Sequence, residues 1–176
     1  MEAGCGGVMV AQIRTPEEVA QMVEWAKYPP LGTRGLFMAN AEAGYATVPP
    51  AEHVVQANHD RWLAIQIETV EAVDCVDQIA ATEGVDLLFV GPGDLACTLG
   101  VPGQALHPLC TEALEKISAA CRKHGKPWGT LTRDPAHAAV CRELGCQLFS
   151  ICSDVDILHR GLNSTRELFH ELDQVD

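Results

Sequence analysis

No run of lysine or arginine occurs anywhere along the 176 residues, and 12 basic side chains stand against 24 acidic ones, a formal net charge of −12 with histidine neutral. A field of that sign repels phosphate backbones and anionic lipid headgroups, which argues against nucleic-acid and membrane-surface partners. No apolar stretch approaches the ~18 residues that a membrane span requires. The amino terminus, Met1-Glu2-Ala3-Gly4, also lacks the basic region of a signal peptide. The eight cysteines, at 5, 75, 97, 110, 121, 141, 146 and 152, contain no CxxC pair, and the seven histidines contain no HExxH or HxH. Zinc-ligand and redox spacings are therefore missing. Free thiols of this kind fit a reducing cytosol, where cysteine acts as a small buried hydrophobe, so a cytoplasmic location is expected.

What is present is the composition of a globular domain, 47% hydrophobic and 20% charged, at a length that suits one domain. Short apolar runs alternate with turns and then with helices that carry capping chemistry. Gly7–Gln12 reads as a buried strand, and Thr15-Pro16-Glu17-Glu18 starts a helix to about Tyr28 with an N-cap, a proline at N1 and a capping-box glutamate. Trp62–Glu68 is a second strand, with a helix over Val70–Glu83 closed by Gly84; Asp86–Val90 is a third. A helix over Pro108–His124 ends at Gly125, Trp128–Thr132 is the fourth strand, and Asp134-Pro135 opens a helix that ends at Gly145. Leu148–Cys152 and a helix over about Val155–Leu172, with Leu158, Leu162, Phe169 and Leu172 near one face, complete the pattern. Five strands and five helices with no hairpin spacing predict a parallel sheet. The segment 31–61, rich in Gly, Pro and Ala, is too long for an ordinary connection and reads as a lid or interface arm.

Two carboxylates stand out. In the second strand the period of two puts Ala64, Gln66 and Glu68 on one face and Leu63, Ile65 and Ile67 on the other. An amide and an acid directed inward need partners. Asp94 follows the next strand in Val90-Gly91-Pro92-Gly93-Asp94-Leu95, so both acids fall at the carboxyl ends of strands, where α/β folds build their sites. Close carboxylates repel, and a hard divalent cation such as Mg²⁺ or Mn²⁺ resolves the repulsion. The alternative is that Glu68 is a solvated strand-end residue or an ion-pair partner and Asp94 a turn cap. The G-x-G-x-x-A outline at Gly91–Ala96 fits a dinucleotide site poorly, since the next strand is distant and Asp94 repels pyrophosphate.

The segments Gln12–Glu18, Tyr28-Pro29-Pro30 with Gly32-Thr33-Arg34-Gly35, Gln66-Ile67-Glu68-Thr69, and Glu83–Asp86 through Gly91–Leu95 together resemble the HpcH/HpaI aldolases, in order and over essentially the whole chain. The resemblance implies an α/β fold of the pyruvate-handling type, a partial TIM (β/α)₈ barrel of about five βα units. It implies a divalent metal on Glu68 and Asp94, a small 2-oxo acid such as pyruvate held by Gln66 and the backbone around Gly93 and Asp94, and a homo-oligomer. Arg34, in its own matching segment, is left as a contact to substrate or to a neighbouring subunit. The implied reaction is cleavage of a 4-hydroxy-2-oxo acid to pyruvate and an aldehyde.

A complete barrel takes about 250 residues. The family's first three strands, which carry its general-base histidine and a substrate arginine, have no counterpart, so no residue is assigned to either catalytic role. The chain reads as the carboxyl-terminal part of an aldolase, a fragment or late-start product with impaired turnover. The rival expectation is a non-catalytic remnant that binds metal and 2-oxo acid or serves in assembly.

Overall fold

The computed structural model describes residues 1–169. Its five strands, β1 (Gly7–Val10), β2 (Trp62–Ile67), β3 (Leu87–Val90), β4 (Trp128–Leu131) and β5 (Leu148–Ser150), form one parallel sheet in the order β1-β2-β3-β4-β5. A strand order that follows the chain without reversal belongs to a barrel segment; a doubly wound dinucleotide fold reverses at a switch point. The helices are α1 (Pro16–Ala26), α2 (Pro50–Asp60), α3 (Val70–Asp74), α4 (Val76–Ala81), α5 (Pro92–Thr98), α6 (Pro108–His124), α7 (Pro135–Glu143) and α8 (Asp154–Leu168).

Strand alternation sorts the two faces. Leu63, Ile65 and Ile67 are fully buried in a layer with Leu88, Val90 and Trp128, where they meet Val19 and Val23 of α1, Val76 and Ile79 of α4, and Leu114 and Ile117 of α6. Each such side chain contributes roughly 1.5–3 kcal/mol on burial. The opposite face carries Met9, Gln66, Phe89, Leu131 and Ser150, which border a cavity instead. Local chemistry sets the helix ends as expected: Thr15 and Glu18 form a capping box, Asp134 accepts from the His137 N–H at 2.8 Å, and left-handed Gly125 (φ 65°) ends α6.

Some boundaries differ, for physical reasons. β1 stops at Val10 because Gln12 takes a left-handed backbone (φ 59°) that ends the pairing. The helix expected over Val70–Glu83 is divided at Cys75 (φ −107°, ψ 15°), whose thiol donates to the Arg14 carbonyl at 3.4 Å. Its second half stops at Ala81, so Gly84 lies in the turn beyond. The segment 31–61 ends in a regular helix, α2, with Pro50 in its first turn and His53 and Ala57 buried one turn apart. A short helix, α5, starts directly after β3, where the sequence reading has no helix before Pro108. Among the described residues, eight α-helices thus stand where five helices are expected.

α8 opens on a Ser153–Asp156 capping box but buries none of its residues: Val155, Ile157, Leu158 and Leu162 are each at least 60% exposed. Leu172 of the expected apolar face lies outside the described residues. No helix among the described residues is long and apolar enough to cross a membrane.

Candidate functional site

β2 and β3 lie side by side, with Gln66 opposite Phe89 and Ile67 opposite Val90. One residue past β2, Glu68 is 1% exposed. A buried carboxylate needs hydrogen bonds, and it has them. Oε1 accepts from the Gln12 backbone N–H at 2.8 Å and from Gln12 Nε2 at 2.9 Å, and Oε2 accepts from Gln66 Nε2. The left-handed backbone at Gln12 aims both donors of one residue at one oxygen. Oε1 is thereby saturated, while Oε2 keeps a lone pair.

The frame around Glu68 is tied down on three sides. Thr98 Oγ1 donates to the Glu68 carbonyl at 3.1 Å; Thr69 Oγ1 donates to the Ile13 carbonyl at 2.9 Å and accepts from the Ala72 N–H at 3.1 Å. Just past β3, a Cβ on Gly91 would overlap Glu68 Oε2 and lie 2.6 Å from Gln66 Nε2, so any larger residue there displaces both side chains.

Beyond Gly91, Pro92 occupies the first turn of α5 and Asp94 stands exposed in it. The first intrahelical bond runs from the Leu95 N–H to the Gly91 carbonyl at 2.9 Å, so the N–H groups of Gly93 and Asp94 precede it and have no partner within the helix. Gln66, Gly91, Pro92, Gly93 and Asp94 line a cavity of about 450 Å³, together with Met9, Phe89, Leu131, Arg133 and Ser150. That is a volume suited to a small ligand.

Of the residues singled out in the sequence, Gln66, Gly93 and Asp94 therefore share one cavity, and Glu68 sits behind Gln66 and Gly91. Arg34 is elsewhere. Its Nη1 donates to Glu42 Oε1 at 3.0 Å, its Nη2 pairs with Oε2, and its guanidinium lies 4.7 Å from the Tyr28 ring centroid. Burial works against both charges, yet their mutual hydrogen bonds prevail and hold Arg34 above, and Glu42 below, its ordinary pKa. Two residues of the site escaped sequence reasoning. Gln12 gave no sign, because its role depends on a positive φ. Arg133 could have been found by extending the alternation of Gly129 and Leu131 two residues past β4.

The donor set suits a hard divalent cation. One carboxylate has an open lone pair and another faces the cavity; Mg²⁺ is commonly held by one or two carboxylates, with water and substrate oxygens completing its shell. No group of three or more His, Cys, Asp or Glu able to hold a metal occurs among the described residues.

The family described as HpcH/HpaI aldolase/citrate lyase matches residues 1–160. A 5-keto-4-deoxy-D-glucarate aldolase of Klebsiella pneumoniae subsp. pneumoniae is 37% identical over 169 residues, covering 96% of this chain and 65% of that protein. An HpcH/HpaI aldolase from Desulfitobacterium hafniense DCB-2 has a TM-score of 0.84 at 34% identity, over 98% of this chain and 66% of that one. A citrate lyase beta subunit from M. tuberculosis, itself complexed with oxaloacetate and magnesium, is alike in fold alone, with a TM-score of 0.54 at 15% identity over 82% of this chain and 54% of that one. The chain spans about 65% of the length of the curated relatives it matches.

Proposed function

The chain belongs to the HpcH/HpaI aldolase/citrate lyase family, and on that premise we propose that its cavity holds the pyruvyl half of a 4-hydroxy-2-oxo acid, with Mg²⁺ or Mn²⁺ on Glu68 and Asp94, for cleavage to pyruvate and an aldehyde. The observation that carries this reading is Glu68: a carboxylate 1% exposed, held by neutral amides rather than by a cation, beside a cavity that contains Asp94. Gln12 and Gln66 keep the carboxylate in one orientation. The N–H groups of Gly93 and Asp94 offer donors to the carboxylate of the 2-oxo acid. A divalent cation, when bound, supplies positive charge against the negative charge that collects on the keto oxygen as the carbon–carbon bond breaks.

Cleavage also requires a base, and no histidine lines the cavity among the described residues. The 176-residue chain is expected to retain ground-state binding better than turnover. The test is a coupled assay for pyruvate release from a 4-hydroxy-2-oxo acid. It is run on the chain alone and with the three amino-terminal βα units of a full-length relative, added in cis or as a second polypeptide. Near-background cleavage alone, recovery with the added units, and loss on Glu68→Gln are expected. Full turnover by the chain alone would overturn the absence of a base. Mn²⁺ and pyruvate binding without any recovery would select the second reading, a binding remnant or assembly partner.

Self-association belongs to the same proposal. Among the described residues, β1 and β5 are each paired on one side only, and α8 exposes its apolar residues. A monodisperse monomer in sedimentation at micromolar concentration would count against it.

A further inference from the structure

We propose that Thr98 is a positioning residue for the pair of carboxylates, setting Asp94 against Glu68 through one hydrogen bond to the Glu68 backbone. This assignment rests on reading Glu68 and Asp94 as the metal ligands. The two acids come from different elements: Glu68 follows β2, and Asp94 stands in the first turn of α5, a helix of seven residues. What fixes one acid against the other is the seating of that helix. Gly91 precedes it, and the connection after it, 99–107, contains Gly100 and Gly103, each with a φ of 78°, and no helix or strand. α5 is therefore oriented by its own contacts. Leu95 and Ala96 bury its apolar side, but apolar packing is non-directional. The directional tie is Thr98 Oγ1, which donates to the Glu68 carbonyl at 3.1 Å. It is the one side-chain hydrogen bond among the described residues that joins α5 to the end of β2.

Two features set this bond apart from a helix habit. Threonine hydroxyls in helices commonly turn back to a carbonyl of the preceding turn, and Thr98 Oγ1 also lies 3.1 Å from the Leu95 carbonyl oxygen. That carbonyl already accepts from the Leu99 N–H at 3.0 Å, whereas the Glu68 carbonyl has no other donor among the described residues. A hydroxyl carries one proton, and the carbonyl of a buried residue is the acceptor that needs it. In addition, Asp94 and Thr98 are four residues apart in α5, so they lie one above the other on the same face. The face tied to residue 68 is thus the face that bears Asp94, and a rotation of α5 about its axis moves both together. Without the tie, the distance between the two carboxylates is no longer set. Mg²⁺ demands near-ideal octahedral geometry, with oxygens at about 2.0–2.1 Å, so an ion shared by the two acids binds more weakly when their separation is free to vary.

The test is Mn²⁺ binding by the full chain, followed by the paramagnetic resonance of the free ion, in Thr98→Val, Thr98→Ala and Thr98→Ser. Thr98 is exposed, so valine keeps the shape and removes the donor, alanine removes it while favouring the helix, and serine restores it. Thr98→Val and Thr98→Ala should each raise the Mn²⁺ dissociation constant about tenfold, and Thr98→Ser should return it to the native value; alanine carries the comparison if the valine variant does not fold. Ser118→Ala is the control. It removes a hydroxyl bond of the same kind, to the Leu144 carbonyl, far from the two acids, and should lower the urea midpoint with Mn²⁺ affinity unchanged. Native affinity without the hydroxyl, an equal loss in Thr98→Ser, or a matching loss in Ser118→Ala would overturn the role of Thr98 while leaving the metal pair standing. A native chain that does not bind Mn²⁺, or Asp94→Asn binding it as tightly as the native chain, would overturn the reading of the metal pair, and this assignment with it.

Discussion

Lys27 at the amino end of the sheet and Glu68 at its carboxyl end are each 1% exposed, yet they are held in opposite ways. Lys27 Nζ donates to Asp86 Oδ2 and to the Arg61 carbonyl, each at 2.7 Å, and to the Asn58 carbonyl at 3.3 Å. Next to it, Arg34 is spent on Glu42, whose side chain is wholly buried. At that end charge meets charge. Glu68 is held by amides that carry no net charge, and Asp94 and Arg133 face an open cavity beside it. Charges cancelled in place tie elements together; charges oriented by neutral dipoles keep their field for something that binds. The division follows the polarity of parallel βα folds, with stability at the amino ends of the strands and chemistry at the carboxyl ends.

The largest effect should come from breaking the amino end. Glu42→Ala strands a buried guanidinium and removes the nearest carboxylate from Arg61 Nε, 3.6 Å away. A cost of about 3–5 kcal/mol is expected, read from urea unfolding; a cost below about 1 kcal/mol would put the pair among ordinary surface contacts. At the other end, Gly91→Ala drives a Cβ into Glu68 Oε2. It should cost about 1–3 kcal/mol in stability and weaken Mn²⁺ binding by about ten- to a hundredfold, followed by the paramagnetic resonance of the free ion. Equal stability loss with Mn²⁺ affinity retained would remove Glu68 from the proposed metal set.

A smaller effect separates the core from both ends. His137 is 1% exposed, and burial pushes its pKa below the ordinary 6.5, with Asp134 opposing and Arg133 assisting. Beneath that ordinary value the unfolded chain takes up a proton that the folded chain refuses. The contribution is full above pH 6.5 and declines as the pH falls, until folded His137 is itself protonated. The difference in urea midpoint between the native chain and His137→Gln should therefore shrink on acidification; a difference independent of pH would contradict it. The smallest effect is on thiol reactivity. Burial pushes Cys121 and Cys141 up to about 12 and Cys146 to about 11, whereas Cys5 and Cys97 are exposed. At pH 8, a disulfide reagent should consume Cys5 and Cys97 first, and Cys5→Ser with Cys97→Ser should abolish that rapid phase; rapid loss of Cys141 in the folded chain would mean that the core opens.

Much of the scaffold could be read along the chain, because capping and alternation act over a few residues. Thr15 with Glu18, Asp134 before Pro135, and Gly125 after His124 are local signals, and Leu63, Ile65 and Ile67 sort from Gln66 by the pleat alone. α2 was obscured by the prolines and alanines around it, since its burial of His53 and Ala57 needs neighbours from outside the segment. Arg34 is paired with Glu42, eight residues on, a contact that no local period or cap signals.

The sequence by itself determined where the five strands and the helices other than α2 and α5 fall, which face of β2 turns to the helices, and that Glu68 and Asp94 follow strand ends, since each depends on propensity and period within one element. Only the tertiary structure decided that the five strands run in chain order, which sets Gln66 beside Gly91 and Arg133 across the cavity with Asp94. It also decided that Gln12, through one positive φ, reaches a carboxylate 56 residues away. Those are relations between distant segments, and they come from closing loops around a shared core, a free energy that no single segment contains.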